Sequence, residues 1–530
     1  MKRLSSLFLL SYLLFSTVGA QFNHAATQTP SWAKKATQAV FTLKTFGADG
    51  SLLASSNGFF VSDDGYAVSA FTPFKGAHRA VVVDAQGKEW PVSTIVGAND
   101  MYDVAKFQVD GRKFTALTPA AAPAANGTTV WLLPYSAKKE PTCVRGTVSQ
   151  AETFQERYSY YTLALTAGDQ QFSSPVLNDQ GQVLGLIQPS ASSQQATSYA
   201  VSAAFAADMR ATGLNMNDPA LRSTAVAKAL PDEPDQAVLS LFMASSVLNA
   251  DQYNDYLDRF IRKFPNSPDG YIYRARLALA ANDFASADAD MKQAVKVADR
   301  KDDAHYQYAQ MIYRKELYQS DQPYDGWTLD RALEESRAAY DANPLPVYRQ
   351  QQAQILYAQQ QYDDAFAVYD ELSHGDLRSA DNFYAAAQCK LQKDDKRAAV
   401  QLLDSAVSMF TRPYVKTAAP YLQARAQLSM DIRRYQQALN DMQDVVALEP
   451  NDAELWARKA SYELRVNLFD QALESAVECI RLAPDYSDGY LMSGIARCAK
   501  GDTQQGLPLL HKAQELGNSQ AQTFIDKYSH

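Results

Sequence analysis

The residues able to do chemistry are few. Six histidines and four cysteines (Cys143, Cys389, Cys479, Cys498) are scattered over 530 residues. That usage excludes a disulfide scaffold and a cysteine-rich zinc site. No glycine-rich phosphate loop and no His-Glu-x-x-His pair occurs. Asp63-Asp64-Gly65 and Lys393-Asp394-Asp395 read as turns, because the ligand ladder and closing Glu of a calcium loop are missing. Asn126-Gly127-Thr128 matches a glycosylation acceptor, which matters only in a eukaryotic source. Cys479 and Cys498 read as two buried thiols packed as small hydrophobes rather than as a disulfide. No cofactor and no metal are expected.

The composition is that of a globular protein, with 46% hydrophobic and 21% charged residues. The net charge is −9, which argues against a nucleic-acid binder. The N-terminus has the form of an export signal. Lys2 and Arg3 precede the apolar run Leu7–Phe15, and Val18-Gly19-Ala20 offers small residues for cleavage before Gln21. The run is shorter than the ~20 residues that span a bilayer. The mature chain is therefore expected to be exported, periplasmic or secreted, without an integral membrane segment.

Two rhythms follow the signal (1–20). Over 21–211, short apolar runs such as Ala39–Leu43, Gly58–Val61, Ala80–Val83, Thr129–Leu133 and Val183–Ile187 alternate with turn pairs. Those pairs are Asp64-Gly65, Gln86-Gly87, Asn126-Gly127 and Gln180-Gly181. That spacing predicts an all-β barrel or sandwich. Residues 212–235 read as a linker. From about Asp218 onward glycine becomes rare and the apolar spacing becomes helical, with a repeat array expected over 236–530. Residues 21–217 carry 14 positive and 14 negative charges, so the acidity belongs to the helical part.

That part repeats. Trp456, Ala460, Ala472 and Pro484 recur 34 residues earlier as Leu422, Ala426, Ala438 and Pro450. They recur more loosely 34 residues later as Tyr490, Gly494, Gly506 and Asn518. The pattern resembles the tetratricopeptide repeat, with about eight units beginning near 237, 269, 304, 346, 380, 419, 453 and 487. The third unit carries an insertion, Gln319–Thr328, between its helices. The resemblance implies an all-α solenoid whose groove takes a protein or peptide ligand. Tyrosines abound (Tyr271, Tyr273, Tyr306, Tyr308, Tyr313, Tyr340, Tyr357). Most are expected between helices and some in the groove.

The phrase Ser56-Asn57-Gly58-Phe59-Phe60-Val61-Ser62-Asp63-Asp64-Gly65-Tyr66-Ala67-Val68-Ser69 resembles the "GSGFIIS-DGYILT" opening of HtrA/Deg-type trypsin-like serine peptidases. The resemblance implies a trypsin-like double barrel and aligns its catalytic triad residue by residue. Thr72 stands where the family has its His, and Asp103 keeps the place of the Asp. Phe172, in Gln170-Gln171-Phe172-Ser173-Ser174-Pro175, falls on the nucleophile, with Ser173 and Ser174 on glycines. Thr197–Ser202 resembles the closing strand. The family's frequent PDZ domain has no visible counterpart.

The departures imply lost catalysis. A triad needs a hydroxyl nucleophile, an imidazole base and an orienting carboxylate. Thr72 relays no proton near neutral pH and Phe172 has no nucleophilic atom. Loss of Ser or His alone costs about 10⁶ in kcat in the best-studied case. Asp103 is expected to sit within hydrogen-bond distance of Thr72, with the Thr72 hydroxyl as its donor and Phe172 filling the cleft. The alternative is a serine endopeptidase using Ser173, which needs a base within reach. The candidates are His24, His78, Lys75 and Lys106. The expectation is thus an exported, non-catalytic adaptor with a protein partner held by its repeats. The barrel's old substrate edge offers a second place for an extended segment, by strand addition.

Overall fold

The computed structural model describes residues 29–111, 113–136, 141–188, 196–375 and 377–529. The export signal and His24 lie outside the described residues. The chain divides between Phe264 and Pro265 into two compact units.

The first unit holds two closed six-stranded antiparallel barrels. One is built from β1 (Val40–Phe46), β2 (Leu52–Phe60), β3 (Tyr66–Ser69), β4 (Arg79–Val83), β5 (Glu89–Asn99) and β6 (Val104–Val109), in the order β1-β2-β3-β6-β5-β4. The other is built from β7 (Thr129–Leu132), β8 (Val144–Phe154), β9 (Tyr158–Ala164), β10 (Pro175–Leu177), β11 (Val183–Gln188) and β12 (Ser198–Ser202), in the order β10-β11-β12-β9-β8-β7. Closure leaves no sheet edge unpaired. The expected turn pairs make the corners: Gly65, Gly87, Gly127 and Gly181 all have φ between 77° and 97°. At Gly65 a Cβ would also come within 2.3 Å of the Val109 carbonyl oxygen. Alternate strand residues fill each barrel, with Phe41, Phe60, Phe74 and Phe107 in edge or tilted contact in the first. Val40, Phe59, Val104, Leu133, Leu177 and Val201 form a core shared by both barrels.

Residues 212–235, expected as a linker, are instead folded onto the first barrel. Leu221 and Val226 are buried in its core. Ala227 and Ala229 bond both polar groups of the Ile95 backbone at 2.8 Å, and Gly76 donates to Ser223 at 2.7 Å. Apolar residues spaced through a polar stretch let it bury one side, which a composition-based reading treats as loose chain. The helices Pro234–Ala244 and Ala250–Lys263 complete this unit.

The second unit is a solenoid-like run of antiparallel helix pairs. It starts with Pro268–Ala280 and Phe284–Val297 and ends with Ser487–Ala499, Thr503–Glu515 and the single helix Ala521–Tyr528. The small residues of the repeat lie at the closest approaches. Ala275, Ala309, Ala353, Ala387, Ala426 and Ala460 on the first helices are fully buried, as are Ala287, Ala365, Ala399, Ala438 and Ala472 on the second. In the last pair glycine replaces alanine because there is no room: a Cβ on Gly506 would lie 2.4 Å from Cys498 Sγ. Successive inter-helix turns pass through a left-handed residue, at Asn282, Gln360, Asp394, Arg433, Asn467 and Gly501.

The insertion Gln319–Thr328 separates the helices Lys301–Tyr318 and Leu329–Ala342. Its Trp327 is buried, and Nε1 donates to the Asp288 carboxylate at 2.9 Å. Tyr324 donates to the same carboxylate at 3.1 Å, and Tyr308 and Lys292 complete its shell. All four cysteines are free thiols, and burial pushes Cys479 up to about 11.

Candidate functional site

The cleft between the barrels has a volume of about 610 Å³. Its lining includes Ser55, Ser56 and Asn57 of β2, Thr72 after β3, Asp103 between β5 and β6, and Asp169, Gln170, Phe172 and Ser173 before β10. The four aligned positions are therefore brought together, from segments up to a hundred residues apart.

Asp103 sits at φ 46° in the tight β5–β6 connection. Its Oδ1 accepts the backbone N–H of Phe71 at 3.0 Å and of Thr72 at 2.6 Å. The expected neighbourhood of Asp103 and Thr72 is present, but the donor differs. The amide of Thr72, not its hydroxyl, meets the carboxylate, because a 3-10 turn at Thr72–Phe74 points two successive N–H groups at it. The Thr72 residue is exposed.

Phe172 is half-buried and packs against the core of the second barrel. Ser173 is 3% exposed and adopts φ 63°, a conformation suited to glycine, the residue the resemblance puts there. Its Oγ accepts the Ala70 N–H at 3.2 Å and a hydrogen bond from Ser56 Oγ at 3.1 Å. Neither partner is a base.

The loop that would supply oxyanion donors is wound into a 3-10 turn, Asp169–Gln171. Asn57 Nδ2 pins it by donating to the carbonyls of Gln170 at 2.7 Å and Phe172 at 3.1 Å. Reasoning from the sequence missed this role of Asn57. The signal was present: Asn57 stands where the resembling phrase has Ser.

The candidate bases lie elsewhere. His78 is exposed, and its backbone N–H bonds to Phe46. Lys75 pairs with Asp100 at 2.5 Å. Lys106 Nζ donates to the carbonyls of Ala207 at 2.6 Å and Met209 at 3.1 Å, and burial lowers its pKa. None of the three lines the cleft. Among the described residues, no cluster of three or more His, Cys, Asp or Glu is placed to hold a metal ion. No described helix is long and apolar enough to cross a membrane.

Residues 56–186 match the family model of the trypsin-like peptidase domain. A stretch of 106 residues is 26% identical to the small glutamine-rich tetratricopeptide repeat-containing protein 2 of Saccharomyces cerevisiae. The match covers 20% of this chain and 31% of that protein, so the chain spans about a third of the curated relative's length. Among solved structures, the active form of the Rv3671c protease from M. tuberculosis is 20% identical, at a TM-score of 0.29, over 33% of this chain and 80% of that one. The serine endoprotease from Yersinia pestis is 16% identical, at a TM-score of 0.29, over 36% of this chain and 65% of that one. Residues 56–186 thus match the trypsin-like peptidase domain, and a solenoid-like helical region resembling tetratricopeptide repeats follows them in the chain.

Proposed function

We propose that this chain is an exported, non-catalytic adaptor: a peptidase-fold barrel pair that has lost its chemistry, joined to a helical-repeat region that holds a protein partner. One observation carries the reading. The cleft is lined by hydroxyls, amides and two carboxylates, and its lining includes Thr72 and Phe172, which the resemblance aligns with base and nucleophile. Acyl transfer needs an activated nucleophile and a proton acceptor within about 3 Å of each other. Ser173, the one alternative nucleophile, spends its Oγ on Ala70 and Ser56. The partner-binding half of the proposal is supported by the similarity of part of the chain to a tetratricopeptide protein. The export half rests on the N-terminal sequence.

The test is incubation of the purified mature chain with casein and with a fluorophosphonate probe. Neither cleavage nor labelling is expected. Labelling that disappears in Ser173→Ala would establish the rival reading, a serine endopeptidase with an atypical site. Crosslinking followed by affinity capture from the envelope fraction tests the adaptor role. A saturable protein partner supports it, and none at any bait concentration defeats it.

A further inference from the structure

We propose that a second pocket of the first unit, walled by Lys228, Arg259 and Arg262, binds a small organic molecule carrying one carboxylate on an apolar body. The pocket shares no residue with the cleft between the barrels, and nothing in it depends on the adaptor reading.

The pocket has a volume of about 380 Å³, within the size range of small-molecule sites. One wall is the segment that folds onto the first barrel, where Lys228 pairs with Ile95 of β5. The other wall is the helix Ala250–Lys263. Gln252, Asp255, Arg259 and Arg262 line it from that helix, at steps of three, four and three residues. Such steps put them on one helical face. Met216, Val226 and Leu248 supply apolar lining, and the first two are buried. Ala225, Gln252, Asp255 and Arg262 are exposed, so a ligand can enter from solvent.

The cations of this pocket are half-satisfied. Arg259 Nη1 donates to the Lys228 carbonyl at 3.0 Å, and its guanidinium lies 5.0 Å from the centre of the Tyr256 ring. Those contacts orient the group and leave donors over, since a guanidinium carries five N–H bonds. Lys228 Nζ donates to the Thr224 carbonyl, a neutral acceptor. Among the described residues, no carboxylate forms an ion pair with Lys228, Arg259 or Arg262. Lys263, next on the helix, does have one, to Asp232 at 2.7 Å. Burial pushes the Lys228 amine down to about 8. Burial also lowers Arg259, with the like charge of Arg262 adding to it and Tyr256 and Asp255 opposing. Half-buried cations without a counter-ion are held at a cost that an entering anion removes.

The charges select the ligand. Three cations stand against two carboxylates, Asp255 and Asp258, which leaves one positive unit in excess. A monoanion balances that excess. A phosphate dianion would overshoot it and meet repulsion from both carboxylates. A carboxylate also matches the planar fork of an arginine. The apolar lining then takes the rest of the molecule.

The test uses the full chain with benzoate and hexanoate as probes. Benzamide and hexanol are the uncharged counterparts, and phenyl phosphate is the dianion. Calorimetry reads affinity. Mass spectrometry reads the rate at which acetic anhydride acetylates Lys228, with the exposed Lys34 as internal reference. Each carboxylate should slow acetylation of Lys228 at least about fivefold, because a neighbouring anion favours the unreactive ammonium form. Lys34 should be unaffected. Arg262→Gln removes a charge, and Ala225→Phe fills the pocket while keeping every charge. Both positions are exposed, so circular dichroism and melting should not change. Each variant should bind the carboxylates at least about tenfold more weakly, the scale of one charge-assisted hydrogen bond. No slowing at Lys228 by either carboxylate overturns the site. Equal slowing by benzamide or hexanol overturns its charge recognition, and tighter binding of phenyl phosphate overturns its preference for a monoanion. Undiminished binding by both variants overturns its location. All four outcomes leave the adaptor reading where it stands.

Discussion

Asp103 and Thr72 remain neighbours, joined through the backbone: Asp103 Oδ1 accepts the Thr72 N–H at 2.6 Å and the Phe71 N–H at 3.0 Å. A carboxylate that would orient an imidazole here caps a 3-10 turn instead. Its role is then measurable as stability. Asp103→Ala should destabilise the first unit by about 2 kcal/mol, having lost two charge-assisted bonds and put Ala, which tolerates positive φ less well than Asp, in that conformation. Asp103→Asn keeps an acceptor and should cost about half as much. Urea denaturation followed by tryptophan fluorescence distinguishes the two.

Restoring the triad letters should not restore the enzyme. Thr72→His with Phe172→Ser supplies a base and a nucleophile, but Asn57 still pins the loop through the carbonyls of Gln170 and Phe172. Loss of one oxyanion donor alone costs about 10² to 10³ in kcat. The double variant should therefore cleave casein no faster than the wild type. Adding Asn57→Ser should give the first measurable gain. Robust turnover by the double variant alone would show that the loop is no obstacle.

Acid should loosen the helical region through Asp302. Its carboxylate accepts the Asn343 amide and the Tyr348 hydroxyl, each at 2.9 Å, and pairs with Arg300. The Asn343 bond, with Tyr348 and Arg300, outweighs burial and holds the carboxyl well below its ordinary value. A depressed folded value means that the stabilisation is complete above the unfolded carboxylate range, about 4. It is lost as the pH falls below that range toward the folded value. The urea midpoint of the wild type should thus drop more steeply between about pH 5 and pH 2.5 than that of Asp302→Asn. At neutral pH the variant should itself be weaker by about 2 kcal/mol.

Trp327 anchors the insertion. It is 1% exposed, and its indole donates to Asp288. Trp327→Ala should cost about 3–5 kcal/mol by leaving a cavity and removing a donor from a buried carboxylate. Faster proteolysis within 319–328 is the matching readout.

The thiols of Cys389 and Cys479 are buried and pushed up to about 11 by desolvation. Native protein at about pH 8 should react slowly with iodoacetamide at both positions, and urea should expose them. Fast native labelling would contradict their burial.

Much of the architecture was legible because it rests on periodicity. The glycine-marked turns between short apolar runs follow from backbone sterics that act locally. The 34-residue rhythm of small residues follows from helix packing that repeats unit by unit. The insertion at Gln319–Thr328 broke that rhythm visibly. The burial of Leu221 and Val226 was not legible, because nothing local distinguishes a loose linker from one that packs its apolar residues onto a barrel.

The sequence by itself set the side-chain types, Thr at 72 and Phe at 172, where the resembling peptidases carry base and nucleophile, since chemistry is a property of side-chain type. Only the tertiary structure decided who meets Asp103, what holds the 170–172 loop, and that Ser173 is spent on Ala70 and Ser56. Those depend on where segments a hundred residues apart come to rest, to within a hydrogen bond's length. Residue identity names the atoms available; the packing of two barrels alone sets which of them touch.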